Sequence, residues 1–511
     1  MSEKYVIGID SGTQSTKVIL FDSKGNRIVK GSTEHPKLLS PHQGWAEHGV
    51  NDVWDALRAA TADMFSKFTG NNADIAAIGL STQRACFLAL DKEDNLLCNP
   101  ISWLDERWRM NVPVMGQITN DIADPFYKLF WPYYSKANWL KFNKPEIYEK
   151  AVKYLGISGY LGHKLTGNFY ESISNSMGWP YDIINWAAFP GDAEIESVGM
   201  RRDQIAEPVL AGTIIGKITH EAAAATGLPE NCPVIIAAGD KQCELLGAGA
   251  LRHGQAYITL GTLSGLDIVC NEYKPAPDFS YFTYLSAIPK LYNYESMVNK
   301  GFWLVSWFRD NLGDGLKAAA KEAGISIEAL LDREAESIPA GSEGLVVLPD
   351  WSPSAARPSG KGIYLGFDDR HHRGHMFRSL VEGIMIQIKT GTEKMVDYLG
   401  LSVSELYIGG GGSKSNFTAQ IISDIFNVPV YRTRESENCS LGAAICGAVG
   451  TGIYPDMMSA VKGMSENYDQ FLPKKENHKL YSALSKQVIE KLYPAMEPIL
   501  NDLIKLTAEK K

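Results

Sequence analysis

Residues 5–22 read YVIGIDSGTQSTKVILFD, and this stretch decides how the rest of the chain is interpreted. Two β-rich runs, at 5–10 and 16–22, flank a short polar turn that contains Gly12, a pattern typical of a β-hairpin. A glycine in such a turn lets backbone N–H groups approach a phosphate closely. The stretch therefore predicts either a phosphate-binding hairpin or a plain hairpin with a polar turn.

The side chains around this turn suit a polyphosphate. Thr13, Gln14 and Ser15 carry hydroxyl and amide donors. Lys17 adds a point charge, and Asp10 ends the first strand, where its carboxylate is placed to hold Mg²⁺ through water. The patterns GxxxxGKS, GxxxxGKT and GxGxxG are all missing from the chain, which disfavours a P-loop, a dinucleotide-binding site and hence a nicotinamide oxidoreductase.

The plan of this hairpin recurs at 256–269, AYITLGTLSGLDIV, where a strand, a Gly-Thr turn and another strand follow one another. Gly-Thr turns between strands are common, so coincidence is the alternative. However, the two copies begin the two halves of a 511-residue chain, which is too long for one core. We therefore expect two α/β domains, 1–252 and 253–511, facing each other across a ligand-binding cleft.

An acid stands directly after another apolar run, at 234–238, in the segment GDKQ at 239–242. Open α/β sheets bind ligands at the carboxyl ends of their strands, and phosphoryl transfer uses a base that takes the proton of the attacking hydroxyl. Asp240 is therefore a candidate general base. The alternative is an N-cap role for a helix at about 241–249.

A glycine-rich turn lies between a predicted strand and a predicted helix, with four consecutive glycines at 409–412. A turn without side chains lets a flat ring such as adenine lie against the backbone. A flexible loop is the alternative, although flexible loops are rarely held so tightly between two elements. The pattern favours a ligand.

Two further segments carry groups suited to a sugar. Gln83 and Arg84 follow one strand, and Trp103 and Asp105 follow the next apolar segment. Arg and Asp side chains can hold hydroxyls while a Trp packs against the face of the ring. A surface salt bridge beside a core Trp explains the second segment equally well.

The composition excludes some partners. The formal net charge is −9 without a dense Lys/Arg cluster, so no nucleic-acid partner is expected. No apolar run reaches the ~18 residues that span a membrane, and the first residues show no signal-peptide pattern. The seven scattered cysteines form no CxxC pair, which favours a reducing cytoplasm over disulfides or zinc. The histidines at 371, 372 and 375 are interpreted as part of a solvated loop.

Together these segments resemble the FGGY family of carbohydrate kinases, which has the actin-like ATPase fold. The resemblance covers nearly the whole chain, and its motifs are weak singly but specific in this order. They are DSGTQSTK (10–17), GWAEH (44–48), STQR (81–84), WLDER (103–107), AGDKQ (238–242), LGTLSG (260–265), GGGGSKSN (409–416) and SLGAA (440–444). The resemblance implies two duplicated ribonuclease H-like domains, of actin/hexokinase type, with a cleft between them.

The resemblance also implies roles, with ATP and Mg²⁺ as cofactors, Asp240 as the general base and Asp10 as the residue that positions Mg²⁺. Residues implied around the nucleotide are Gly12, Thr13, Gln14, Ser15 and Lys17 from the first turn, Gly261 and Thr262 from the second, then Gly301, Gly411, Gly412, Ser415 and Asn416. Residues implied around the acceptor are Gln83, Arg84, Trp103, Asp105, Asp240 and Lys241.

The acceptor is the least determined part. The segment STQRAC at 81–86 resembles a glycerol-kinase segment that reads Gln-Arg-Glu, but Ala85 replaces the Glu, and losing that hydroxyl acceptor argues against glycerol. Lys241 stands where a neutral residue is usual, so it either favours a polar or anionic acceptor or pairs with a neighbouring acid. We expect phosphorylation of a primary hydroxyl of a ketopentose such as xylulose. Glycerol or another polyol, and a non-catalytic nucleotide-dependent sugar sensor, are the alternatives, and a homodimer is left open.

Overall fold

The structure, a computed structural model, describes residues 4–111, 131–175, 177–261, 264–276, 280–298, 300–353, 357–433, 435–465 and 468–508. Its strands are, in chain order, β1 Tyr5–Ser11, β2 Ser15–Asp22, β3 Arg27–Glu34, β4 Ile75–Thr82, β5 Leu88–Leu90, β6 Lys153–Leu155, β7 Tyr170–Ser172, β8 Tyr181–Asp182, β9 Ala187–Ala188, β10 Glu207–Val209, β11 Ile214–Lys217, β12 Pro233–Gly239, β13 Gln255–Leu260, β14 Ser264–Cys270, β15 Phe282–Leu285, β16 Tyr292–Val298, β17 Val346–Leu348, β18 Ile363–Leu365, β19 Glu405–Gly409, β20 Val430–Thr433 and β21 Tyr468–Phe471. Its α-helices span Asp52–Lys67, Trp131–Tyr134, Lys136–Asn143, Pro145–Tyr148, Ile157–Thr166, Ala193–Ser197, His220–Thr226, Asp240–Ala248, Trp303–Leu312, Lys317–Ala323, Ile327–Glu336, Arg373–Leu399, Asn416–Phe426, Asn438–Gly450, Met457–Met464, Lys475–Leu484 and Glu490–Ala508.

The first half of the chain is organised around a six-stranded sheet with the order β11-β12-β4-β1-β2-β3. β1, β2 and β3 form an antiparallel meander, while β4 runs parallel to β1 and β12 runs parallel to β4. β11 closes the far edge in the antiparallel sense. β1 is buried at every position except its first, as expected of an inner strand covered on both faces.

The second half repeats this plan with one extra edge strand, in the order β15-β16-β14-β13-β19-β20-β21. β13, β14 and β16 form the meander, β19 and β20 continue parallel to β13, and β21 is the antiparallel edge. The predicted α/β fold of two duplicated ribonuclease H-like domains is therefore confirmed. The echo seen in the sequence at 256–269 is the first hairpin of the second copy.

A helix from the end of the chain packs directly on the first sheet. This helix, Asn438–Gly450, approaches so closely that two strands carry glycine at the contact. A Cβ on Gly8 would lie 1.9 Å from the carbonyl oxygen of Ser440, and one on Gly79 would lie 1.8 Å from that of Ala443. Because both obstacles are backbone atoms, no side chain fits at either strand position.

The same helix packs against the helix Asp240–Ala248, and a second pair of glycines lies at this contact. A Cβ on Gly247 would lie 2.0 Å from the carbonyl oxygen of Asn438, and one on Gly442 would lie 2.0 Å from that of Cys243. The helix that follows β12 is thus held in close packing between the two halves of the chain, and its first residue is the predicted general base.

The histidine segment differs from its predicted form as a solvated loop. His372 is the N-cap of the helix Arg373–Leu399, and its ring accepts a hydrogen bond from the Gly374 N–H at 3.2 Å. The side chain of His371 is fully buried, and His375 is buried as well. The prediction holds for His372, which is exposed ahead of the helix. It was wrong for His371 and His375, because the sequence does not show that a long core helix begins inside this polar segment.

None of the helices in the described part of the chain combines the length and the apolar character that crossing a bilayer requires.

Candidate active site

The candidate base lies where β12 passes into a helix. Gly239 is the N-cap and Asp240 is the first helical residue, so the alternative prediction, in which Asp240 itself is the N-cap, was wrong. The Oδ1 atom of Asp240 accepts the N–H of Lys241 at 2.9 Å. The side chain of Asp240 is 28% exposed, so part of its carboxylate is accessible to a ligand.

Arg84 holds Asp240 from the carboxyl end of the neighbouring parallel strand. It follows β4, and its Nε lies 3.4 Å from Asp240 Oδ1. The guanidinium also lies 4.4 Å from the ring centroid of Tyr284, and its Nη2 is 3.5 Å from Glu295 Oε2. Since Tyr284 and Glu295 belong to the second sheet, both halves of the chain build this part of the site. The Nη1 atom is buried without a hydrogen-bond partner.

Lys241 pairs with an acid, which was one of the two outcomes that the sequence left open. Its Nζ is 3.3 Å from Glu244 Oε2, an oxygen that also accepts the Thr259 hydroxyl. Burial alone would lower the pKa of Lys241, yet the surrounding carboxylates, with Glu244 first and Glu295 second, raise it. The ammonium is therefore neutralised by protein groups.

The first turn is connected to the acceptor segments by hydrogen bonds. The Thr13 hydroxyl donates to Gln83 Oε1 at 3.1 Å and accepts the Trp103 Nε1–H at 2.8 Å. Gln83 Nε2 donates to the Gly12 carbonyl at 3.2 Å and lies 3.1 Å from His48 Nε2. The structure thus brings four of the predicted residues together, although in one network rather than in separate nucleotide and acceptor groups.

His48 is a member of this network that sequence reasoning did not single out, although GWAEH was among the motifs. Its side chain is buried, and burial lowers its pKa to about 4, so the ring is neutral at neutral pH. Gln83 uses its Oε1 to accept from Thr13, so its Nε2 is the donor to His48. The motif was the signal that could have identified His48.

Asp10 and Lys17 share a small cavity of about 210 Å³ that Glu244 and Glu437 also line. Lys17 Nζ lies 3.9 Å from Asp10 Oδ2 and 2.7 Å from Glu437 Oε2. Burial, opposed by Lys17, raises the pKa of Asp10 to about 6. Sequence reasoning missed Glu437, which comes from the second half of the chain and competes with any phosphate for Lys17.

The small cavity suits Mg²⁺ by its chemistry, because carboxylate oxygens are the protein ligands that this ion prefers. The described residues contain no cluster of three or more His, Cys, Asp or Glu side chains that could enclose a metal by themselves. Asp10 would therefore share a bound ion with phosphate oxygens and water, which is usual for Mg²⁺.

A larger cavity of about 710 Å³ adjoins the small one, with Gly411 and Lys414 lining both. Its walls include the predicted residues Gln14, Gly261, Gly411, Gly412 and Ser415, together with Leu260, Phe302, Trp303, Val305, Ser306, Ser326, Glu328, Ala329, Asp332, Phe377, Lys414 and Thr418. The Gly-rich turn and the second Gly-Thr turn thus line one cavity. Its apolar wall suits a nucleotide base, and its other end adjoins the small cavity with its charged side chains.

Glycines give this cavity its shape. A Cβ on Gly411 would have nothing within 4 Å, whereas one on Gly412 would lie 2.4 Å from the Phe302 ring. Gly301 lies off the wall and packs tightly on Ser264, because its Cβ would come within 2.2 Å of that hydroxyl. Gly412 thus leaves room for the Phe302 ring, which forms part of the wall.

The remaining predicted residues lie around these cavities. Ser415 is the N-cap of the next helix and accepts the Thr418 N–H at 3.0 Å, so Asn416 is the first helical residue. Ser15 begins β2, and its carbonyl accepts the Gly12 N–H at 3.0 Å. Thr262 lies outside the described residues.

Asp105 is enclosed in a buried ion cluster. Its Oδ1 lies 2.8 Å from Arg107 Nε, its Oδ2 accepts the Ala46 N–H at 2.7 Å, and Arg107 also reaches Glu47. The Asp105 side chain has no exposed area. The salt-bridge alternative thus describes the contacts of Asp105, although the bridge is buried rather than at the surface.

Comparisons with known proteins agree with this architecture. The models of the FGGY family of carbohydrate kinases match residues 5–247 with the N-terminal domain and residues 256–451 with the C-terminal domain. The chain is 35% identical over 503 residues to the "Uncharacterized sugar kinase YgcE" of Escherichia coli K12, covering 98% of this chain and 95% of the relative. It is 28% identical over 496 residues to a gluconokinase of Bacillus licheniformis, with 94% of each chain covered.

The fold also matches a solved structure of a ligand-bound xylulose kinase from Lactobacillus acidophilus. The TM-score is 0.83 at 24% identity, and the match covers 98% of this chain and 100% of the other. The two duplicated α/β halves and the match of both to carbohydrate-kinase domains define a sugar-phosphorylating enzyme. The chain belongs to the FGGY family of carbohydrate kinases, which use ATP.

Proposed function

We propose that this carbohydrate kinase transfers the γ-phosphoryl group of ATP to a primary hydroxyl of a small neutral sugar, with a ketopentose such as xylulose as the first candidate. The observation that supports it is the position of Asp240, partly exposed at the end of β12 and held by Arg84. That carboxylate can accept the hydroxyl proton as the oxygen attacks phosphorus.

The nucleotide would lie in the larger cavity, with its base beside Gly411, Gly412 and Phe302 and its phosphates directed toward the small cavity. There Lys17 and the backbone of the first turn would meet the phosphates. Asp10 would hold Mg²⁺, which supplies neutralisation of the phosphate charge. Closing the two halves, taken as domains 1–252 and 253–511, would exclude water that competes with the sugar.

The charges beside Asp240 favour a neutral acceptor over an anionic one. Both cations at this place are already paired, Arg84 with Asp240 and Lys241 with Glu244. The carboxylates nearby outnumber the cations, since Asp240, Glu244 and Glu295 surround Arg84 and Lys241. A sugar acid such as gluconate would bring another carboxylate into this surplus, and like charges repel at short range.

Ala85 supports a ketose over glycerol. It replaces the carboxylate that the glycerol-kinase segment places after Arg84, and it adopts a left-handed backbone with φ of 58°. Its carbonyl accepts the buried Lys136 ammonium at 3.2 Å. The loop is thus fixed in a form that offers the acceptor the Arg84 guanidinium without a neighbouring acid at position 85.

An acceptor panel tests the proposal. Xylulose, glycerol and gluconate are each supplied with ATP, and ADP release is measured. Release stimulated most by xylulose supports the proposal, whereas release confined to glycerol or to gluconate contradicts the acceptor assignment. Sugar-independent ATP binding without any transfer would favour the alternative, a non-catalytic nucleotide-dependent sugar sensor.

Asp240→Asn tests the base. We expect kcat to fall by about 10²–10⁴-fold, while ATP still binds. Asp203→Asn is the matched control, because the side chain of this aspartate is exposed and pairs with the surface residue Arg201. If Asp240→Asn phosphorylated the sugar at the normal rate, the base assignment would be wrong.

The cysteines support a reducing cytoplasm as the location of this chain, since all seven lie among the described residues and are free.

A further inference from the structure

Two carboxylates face each other inside the second sheet, close to Arg84. Asp267 on β14 and Glu295 on β16 are directly opposed in the antiparallel register, and both are buried, with 0% and 2% exposure. Like charges directly opposite each other destabilise a sheet, and burying them in a low-dielectric interior increases that cost. This pair therefore requires a compensating proton or cation.

Tyr284 on the neighbouring strand connects the pair. Its hydroxyl oxygen lies 2.6 Å from Asp267 Oδ1 and 3.0 Å from Glu295 Oε2. A phenol has a single proton to donate, so it can satisfy only one of these two carboxylate oxygens. For both contacts to be hydrogen bonds, one of the carboxyl groups must carry a proton and donate it to the tyrosine oxygen.

The surroundings place that proton on Asp267. Glu295 has a cationic partner, because Arg84 Nη2 is 3.5 Å from its Oε2. Asp267 has none within salt-bridge distance among the described residues, and its Oδ2 is buried without a hydrogen-bond partner. Burial first, and then Glu295, raises the pKa of Asp267 well above its ordinary value, against the opposing influence of Tyr284, Lys241 and Arg84.

We propose that Asp267 is a neutral carboxylic acid that orders a hydrogen-bonded chain through Tyr284 and Glu295 to Arg84, and thereby holds Arg84 against Asp240. In this chain the Asp267 O–H donates to the Tyr284 oxygen, and the Tyr284 O–H donates to Glu295. Glu295 then accepts from Arg84 Nη2, which keeps Arg84 Nε 3.4 Å from Asp240 Oδ1. Asp267, Tyr284 and Glu295 are positioning residues, since none of them contacts the base itself.

The chain crosses from one half of the molecule to the other. Asp267, Tyr284 and Glu295 lie on β14, β15 and β16 of the second sheet, while Arg84 and Asp240 follow β4 and β12 of the first. The base is therefore oriented correctly only when the second half is docked against the first. The inference deepens the proposed function, because it rests on Asp240 being the base.

Kinetics of Tyr284→Phe test the chain. Losing the phenol proton frees Arg84, and we expect kcat to fall about tenfold with the KM for ATP unchanged. Tyr294→Phe is the matched control: this buried tyrosine lies on β16 beside Glu295 but donates to the Glu272 carbonyl, and its kcat should stay at the wild-type value. An unchanged kcat in Tyr284→Phe, or an equal fall in Tyr294→Phe, would overturn the proposal.

Asp267 variants distinguish a neutral acid from an ionised one. Asn has the same shape, is neutral and has an N–H donor, so Asp267→Asn should retain at least about tenfold more activity than Asp267→Ala. Equal loss in both variants would show that the charge of Asp267 is needed, and would overturn the inference.

Infrared spectroscopy detects the proton on Asp267 without any sugar substrate. The difference spectrum between the wild type and Asp267→Asn should contain the carbonyl stretch of a protonated carboxylic acid. If that band is missing at neutral pH, Asp267 is ionised and the inference fails, whatever the kinase phosphorylates. If the band is present while no sugar stimulates ADP release, the proposed function fails and the proton assignment stands.

Discussion

Lys17 and Glu437 connect the two halves of the chain across the cleft, with Lys17 Nζ 2.7 Å from Glu437 Oε2. Glu437 also pairs with Lys30, so one carboxylate from the second half is held by two ammonium groups from the first. Lys17 is the residue proposed to meet the phosphates of ATP. A bound nucleotide would therefore share Lys17 with Glu437 or displace it.

A double-mutant cycle measures this link. Lys17→Met, Glu437→Gln and the double variant are compared by chemical denaturation, and we expect a coupling energy of about 1–3 kcal/mol, because both groups are largely buried. The exposed pair Asp314–Lys317, which lies away from this site, is the control. Its coupling should be below about 1 kcal/mol, and equal values for the two pairs would contradict the special role of Glu437.

The pH dependence of stability follows from the same carboxylate. Burial alone would raise the pKa of Glu437, but Lys17 and Lys30 lower it from 4.5 to about 2. A carboxylate whose pKa is lower in the folded state stabilises the fold above its unfolded pKa, and this contribution is lost as the pH falls toward the folded pKa.

The contribution of Glu437 should be about 3 kcal/mol at neutral pH and should decline between about pH 4.5 and about pH 2. Denaturation of the wild type and of Glu437→Gln is measured at several pH values, and the difference between them isolates Glu437. A difference that stays constant down to about pH 3 would contradict the lowered pKa.

Gly411 and Gly412 should respond differently to substitution. Gly411→Val would place its side chain in open space that both cavities share, so we expect ATP affinity to fall more than about tenfold with little change in Tm. Gly412→Ala would press on the Phe302 ring and should destabilise by about 1–3 kcal/mol. Calorimetric ATP titration and thermal melts distinguish the two outcomes. A Gly411→Val variant that binds ATP normally would contradict the cavity assignment.

Gly8→Ala tests the contact between the first sheet and the helix Asn438–Gly450. Its Cβ would lie 1.9 Å from a backbone oxygen, so the free energy of unfolding should fall by about 3 kcal/mol or more. Gly191→Ala is the control, because the nearest atom to that Cβ, on Glu194, is 3.6 Å away. The control should change stability by less than about 0.5 kcal/mol.

The sequence predicted the features that repeat or that stand next to each other. The two Gly-Thr turns indicated duplication, and the order of short motifs indicated the family. Asp240 was found because it directly follows an apolar run, and Gly411 because it stands among four glycines. Each of these signals is local, so a single stretch of sequence is enough to see it.

The contacts that the sequence did not predict join distant residues. Glu437 meets Lys17 from the other half of the chain, and Asp267 reaches Arg84 only through Tyr284 and Glu295. Spacing along the chain has no information about such pairs, because they depend on how the two sheets dock. Asp105 shows the converse, since its partner Arg107 is only two residues away and explains its position without a ligand.

The glycine contacts of the helix Asn438–Gly450 have a consequence for recombining relatives. This helix belongs to the second half in sequence, yet it covers one of the two apolar faces of the first sheet. A chimera cut near residue 252 would pair a sheet from one parent with a covering helix from another, and the Gly8 and Gly79 contacts would have to match across parents. A workable exchange therefore moves residues 438–450 together with the first half. The residues that must be exchanged as one unit are thus not contiguous in the gene.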